Sequence, residues 1–191
     1  PEPVAQAHFD RLVAIGKNAL PTLALVYRDP GSTDFENWVS ARAMGRIGGE
    51  GAVNTLIEGL KAKRIIMRLG AVSGLAMLKD DRSVPPLEKA LFDQAMTVRA
   101  AAADALGGLG TRTSSKALVE SLNLPANYHQ GQSLFVREHI VLALGNVGSI
   151  AGIDALVGVL EDSDPRIAFA AIRSLTQITG ITYRDRSMGE Q

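Results

Sequence analysis

Leucines that close short apolar runs stand at Leu60, Leu91, Leu122 and Leu160, separated by 31, 31 and 38 residues. A second marker keeps the same beat, with Gly45, Ala76, Gly107, Gly145 and Thr176 lying 31, 31, 38 and 31 residues apart. Two markers in one register define an internal repeat. A period of this length means stacked supersecondary units, none of which can bury its apolar face without a neighbour.

The cleanest copy runs from Val98 to Gly110, passes a polar turn and ends on Lys116 to Leu122. Val98, Ala102, Ala105, Leu106 and Leu109 recur at helical spacing and predict one apolar stripe. Gly110 falls where the chain must reverse, because glycine accepts positive φ without steric cost. The next copy, Val136 to Gly148 followed by Ile153 to Leu160, repeats the pattern with Arg137 in the place of Arg99. Earlier copies are Met67 to Lys79 with Ser83 to Leu91, where Pro85 and Pro86 suit a helix start, and Glu36 to Gly48 with Ala52 to Leu60. Upstream, Phe9 to Gly16 and Ala19 to Tyr27 supply another pair, and downstream Asp164 and Pro165 open a last helix. These readings predict helix pairs over about 3–27, 35–60, 66–91, 97–122 and 135–160, a final helix over 165–178, and a tail over 181–191.

Composition removes other classes. With 46% hydrophobic but only 5% aromatic residues, the core must be made of small side chains on closely packed helices rather than of strands. Lys plus Arg and Asp plus Glu both number 20, so a net charge of +0 provides no global field for polyanions. The cysteine count of 0 rules out a thiolate metal site, a disulfide framework and a cysteine nucleophile within this sequence. No apolar run approaches the roughly 18 residues of a spanning helix. Because the sequence opens on Pro1 instead of Met, a native start is expected to be missing; cytoplasmic localisation is expected, with export left open by a start that could have held a signal peptide.

The run Val98-Arg99 to Ala105-Leu106-Gly107 and Gly110, echoed by Val136-Arg137 to Leu144-Gly145 and Gly148, resembles the short HEAT-like repeat named after phycobilisome lyases. The resemblance spans about residues 3–180 and implies an all-α, right-handed α-solenoid of about five to six HEAT-like helix pairs with a period of 31 residues. Ala76 and Thr176 depart from the marker glycine, and Asn37 and Ala168 depart from the arginine. The family includes chromophore lyase subunits, a di-iron hydroxylase and scaffolds. Where the hydroxylase holds iron with His-Glu pairs, this chain has Trp38-Val39, Leu69-Gly70, Ala100-Ala101, Glu138-His139 and Phe169-Ala170. One polar pair, in inverted order, does not make a metal site, so no metal is expected. His139 is expected at a helix contact.

Candidate binding residues come from four patterns. Second helices are expected to line the concave face and to project Asn54, Glu58, Lys61, Lys89, Lys116, Glu120 and Asp154 toward a partner. Trp38, aligned with Arg42 and Arg46, is a candidate anchor, since Trp and Arg are enriched at hot spots. The period stretches across Asn123 to Phe135, so an inserted loop should present Tyr128, His129 and Gln130. Lys61, Lys63, Arg64 and Arg68 form a basic run without an acid, and Arg68, Arg99 and Arg137 recur as an expected structural ladder.

These patterns point to a non-catalytic scaffold that binds a partner protein or peptide on its concave face and inter-repeat loops, with no cofactor. The resemblance also implies a bilin lyase-like subunit, which cradles a tetrapyrrole and guides its attachment to a cysteine on a partner. A nucleic-acid-binding repeat protein is the third reading, although it would need cationic surface on many repeats. The unpaired last helix predicts that further chain or self-association covers that end.

Overall fold

The computed structural model describes residues 3–181, and 182–191 of the expected tail lies outside them. Among the described residues, eleven α-helices form a two-layer α-solenoid. The first layer holds α1 (Pro3–Ala14), α3 (Asp34–Ile47), α5 (Ile65–Leu78), α7 (Met96–Leu109), α9 (Phe135–Val147) and α11 (Pro165–Thr179). The second holds α2 (Leu20–Arg28), α4 (Glu50–Gly59), α6 (Val84–Ala90), α8 (Ser115–Leu122) and α10 (Ile153–Gly158).

Local chemistry sets the ends of these helices. Thr33 caps α3 by accepting from the Glu36 amide, while the Glu36 carboxylate accepts from the Thr33 amide and hydroxyl, and these last two bonds hold the Glu36 carboxyl below its usual range. Pro165 opens α11 behind an Asp164 cap, and prolines sit in the first turn of α6. At the other end, Gly110 and Gly148 take φ of 66° and return their amides to Leu106 and Leu144. Lys79 occupies the corresponding place after α5 with φ 51°, a left-handed conformation that disfavours any side chain.

The layers are unequally packed. First helices touch one another all along the rod, whereas each second helix packs mainly on first helices. Marker glycines explain the difference. A methyl group on Gly45 would meet the Gly74 carbonyl oxygen at 2.5 Å and its Cα at 2.7 Å, and one on Gly145 would meet Ser174 Oγ at 2.5 Å. Gly107 approaches Ala143 in the same register. Backbones at such contacts lie closer than larger side chains allow. A stack with one tightly spaced layer bends toward it, so the first helices form the inner, concave layer. This corrects the expectation that second helices line the concave face. The leucine stripe of the second helices fills the space between layers, with Leu56, Leu87, Leu118, Leu122 and Leu156 fully buried.

The arginines recurring after each valine position bind the joints between repeats. Arg68 is buried, grips Asp93 with two bonds of 2.7 and 2.9 Å, and donates back to the Ala62 and Lys63 carbonyls. Arg99 donates to the Asp93 and Gln94 carbonyls behind it and to Asn127 and the Ala126 carbonyl ahead. Arg137 reaches the Leu122 carbonyl, Ser133 and Asp162. Each guanidinium therefore satisfies two inter-repeat loops whose carbonyls would otherwise be buried without partners. Asn37 holds this place in the first copy and donates to the Tyr27 carbonyl.

The stretched joint after α8 folds into a hairpin of β1 (Tyr128–His129) and β2 (Gln132–Ser133), turned at Gln130 and Gly131 with positive φ. It is appended to one joint and leaves the helical stack continuous.

Candidate functional site: the inner groove

First helices present to the inner face the residues that their buried stripes do not use. An open groove of about 540 Å³ crosses three of them, lined by Trp38 of α3, Leu69, Val72, Ala76 and Met77 of α5, and Ala101 and Asp104 of α7. It opens where the register loses its glycine. The glycine position of α5 is Ala76, which lines the groove together with Ala105 of α7, and here the helices pack less closely than on either side. A second hollow of about 380 Å³ lies along the same layer between α9 and α11, among Glu138, Leu142, Phe169, Arg166 and Arg173. Phe169 is 70% exposed at its edge.

Charges ring this apolar floor. The Arg42 guanidinium lies 5.7 Å from the Trp38 ring centroid, and Lys79 lines the groove. Between the hollows, His139 Nδ1 stands 2.7 Å from Asp104 Oδ1, bridging α7 and α9, and the Phe135 ring meets the imidazole edge-on at 5.7 Å. Arg166 is paired with Asp164. Among the described residues, Arg42, Lys79 and Arg173 have no acid within salt-bridge distance. The arrangement sets cationic side chains beside an apolar floor, which suits an apolar surface carrying negative groups.

The sequence candidates are distributed differently. Trp38 lies in the groove. Asn54, Glu58, Lys61, Lys89, Lys116, Glu120 and Asp154 are exposed on the outer layer, where Glu58 pairs with Arg28 and Lys116 approaches Glu120. Tyr128 is half-buried beneath Arg137, its ring centroid 4.5 Å from the guanidinium carbon, while His129 and Gln130 are exposed at the hairpin tip. The basic run is not a cluster of free cations: Arg68 is neutralised by Asp93 and Arg64 pairs with Asp34, leaving Lys61 and Lys63 exposed. That corrects the expectation of four positive charges without an acid, because the acids arrive from neighbouring joints. Leu69, Met77, Asp104, Phe169 and Arg173 were missed as a site. Their signal was present, since large or charged residues follow the valine-arginine step in helices otherwise built of alanine.

Among the described residues, no three metal-binding side chains gather and no helix is long and apolar enough to cross a membrane.

A sequence profile of HEAT repeats matches residues 53–134, and one of the PBS lyase HEAT-like repeat matches residues 136–162. The chain is 29% identical over 142 residues to phycocyanobilin lyase subunit alpha of Picosynechococcus sp. (strain ATCC 27264 / PCC 7002 / PR-6), a match covering 73% of this chain and 42% of that protein. It superposes on the complex of CpcE and CpcF of phycocyanin lyase from Nostoc sp. PCC7120 with a TM-score of 0.68 and 26% identity, over 83% of this chain and 65% of that one. Human deoxyhypusine hydroxylase shares the fold at a TM-score of 0.58 and 15% identity, over 94% of this chain and 82% of that one. The chain thus spans less than two thirds of the lyase subunits it matches. These relatives overturn the expectation of a protein without catalysis, since both belong to lyases.

Proposed function

Because the chain is a HEAT-repeat protein of the phycobilisome-lyase type, we propose that it serves as one subunit of a bilin lyase-like assembly. Its inner face holds a linear tetrapyrrole for attachment to a cysteine of a partner protein. The observation that carries this reading is the groove itself. Trp38, Leu69, Met77 and Ala101 form a floor on which conjugated rings can stack, while Lys79 in the groove and Arg42 over the Trp38 ring are placed to meet propionate groups. This sequence holds no cysteine, so the thioether forms on another protein and the bilin is held here without a covalent bond. A protein partner is therefore integral to the function, and the solved complex of two lyase subunits supports that view.

Titration with phycocyanobilin tests the reading directly. The sequence contains 1 tryptophan, Trp38, and it lies in the groove, so its fluorescence reports occupancy. Binding is expected to quench that emission and to shift the bilin absorption band. Met77→Glu, which places a carboxylate on the floor, is expected to weaken binding at least about tenfold, the size of one buried unpaired charge against an apolar ligand. A bilin spectrum unchanged by saturating protein, with undiminished Trp38 emission, would refute the proposal.

A further inference from the structure

We infer that His139, aligned by Asp104, is the group that moves the proton in the attachment step, an assignment that rests on the bilin reading above. Two elements fix the imidazole. Asp104 of α7 holds its Nδ1 at 2.7 Å, and Phe135, one helical turn before it on α9, packs edge-on against the ring at 5.7 Å. Asp104 also lines the Trp38 groove, so the carboxylate that holds the ring belongs to the wall of the binding surface. A carboxylate at Nδ1 stabilises the tautomer with its hydrogen there and leaves the Nε2 lone pair available as a base. Nε2 has no hydrogen-bond partner among the described residues, and the imidazole side chain is 36% exposed, so a reactant can reach it.

The chemistry of the step requires such a base. A thiol ionises near about pH 8.5 unless assisted, and only the thiolate is a good nucleophile. As the acceptor sulfur bonds to the exocyclic carbon of a bilin carbon–carbon double bond, Nε2 takes the S–H proton and the π pair moves to the adjoining ring carbon. The imidazolium then delivers its proton to that carbon. One S–H bond and one π bond are broken, one C–S and one C–H bond are formed, and no electrons are gained or lost overall. One residue that accepts and then returns the proton is enough, because the sulfur that gives the proton and the ring carbon that receives it are only two bonds apart once the C–S bond forms.

The test uses the whole chain with phycocyanobilin and excess 2-mercaptoethanol as the thiol. Adduct formation is followed by loss of long-wavelength absorbance, since the addition removes a double bond from the conjugated system. The wild-type chain is expected to accelerate the reaction over buffer. His139→Gln should retain Trp38 quenching by the bilin within about twofold yet lose roughly a hundredfold in rate, the scale of a general base. Asp104→Asn should lose a similar factor, because its amide donates to Nδ1 and forces the hydrogen onto Nε2. Added imidazole should restore His139→Ala and leave the wild type unchanged, a rescue that a purely structural role would not give. Bilin binding without acceleration, full activity in His139→Gln, or failure of imidazole to rescue would each overturn the assignment. Absence of Trp38 quenching would instead defeat the underlying bilin reading.

Discussion

Glycine-to-alanine substitution should have opposite effects at two helical positions of this chain, and the contrast tests why the solenoid bends as it does. Gly108, in α7, has nothing within 4 Å of an added methyl group. There the substitution only removes the flexibility of the unfolded chain and improves helix propensity, stabilising by about 0.5–1 kcal/mol. Gly45, in α3, gains the same propensity term, but its new methyl would sit 2.5 Å from the Gly74 carbonyl oxygen, where ordinary contact begins near 3.4 Å. Backbone cannot rotate aside as a side chain does, so α3 and α5 must part by as much as 0.9 Å, the difference of those two distances. A gap of that size forfeits a quarter to a half of the dispersion along the interface, and overpacking of this kind costs up to about 3 kcal/mol. Subtracting about 1 kcal/mol of propensity leaves a net loss of about 2 kcal/mol, or a melting temperature lower by roughly 4–8 °C. Urea unfolding followed by circular dichroism measures both variants in one buffer. The parted helices should also disturb the groove between Trp38 and Leu69 and weaken bilin binding. If Gly45→Ala were as stabilising as Gly108→Ala, the close approach of the first helices, and with it the identity of the concave layer, would be wrong.

Two further outcomes follow from the joints. Arg68→Met leaves the Asp93 carboxylate, only 11% exposed, without its guanidinium, and should destabilise by about 3–5 kcal/mol; adding Asp93→Asn should recover a large part, measured as a double-mutant cycle in urea. At the turn before α6, bonds from the Arg82 side chain and amide hold the Asp80 carboxyl down to about 2, below its usual 3.8. Its folded value is depressed, so its stabilisation is complete above the unfolded value and disappears as pH falls through about 2. Acid unfolding of Asp80→Asn should lack that contribution, and an NMR titration of Asp80 with an ordinary midpoint would contradict it.

Much of the architecture was legible because a solenoid is a local code. Val98, Ala102 and Leu106 announce a helix face, Gly110 and Gly148 announce its end, and the 31-residue beat announces that neighbouring copies stack. The site was less legible. Arg64 and Arg68 read as free charge beside Lys61, yet their acids lie 30 and 25 residues away at Asp34 and Asp93. His139 stood beside Glu138 as a failed metal pair, whereas its partner is Asp104, 35 residues earlier on the adjacent helix. Tyr128 read as a free contact in an inserted loop, but the hairpin returns it beneath Arg137. Ala76, a mere departure from the repeat pattern, lines the groove between α5 and α7.

By itself, the sequence determined that this protein is a stack of short helix pairs, because periodic burial and turn glycines act within a few residues of their cause. Only the tertiary structure decided which layer is inside and what that layer presents. Curvature depends on how closely two backbones approach across a joint, a distance set jointly by residues 29 apart, such as Gly45 and Gly74, that no single repeat contains.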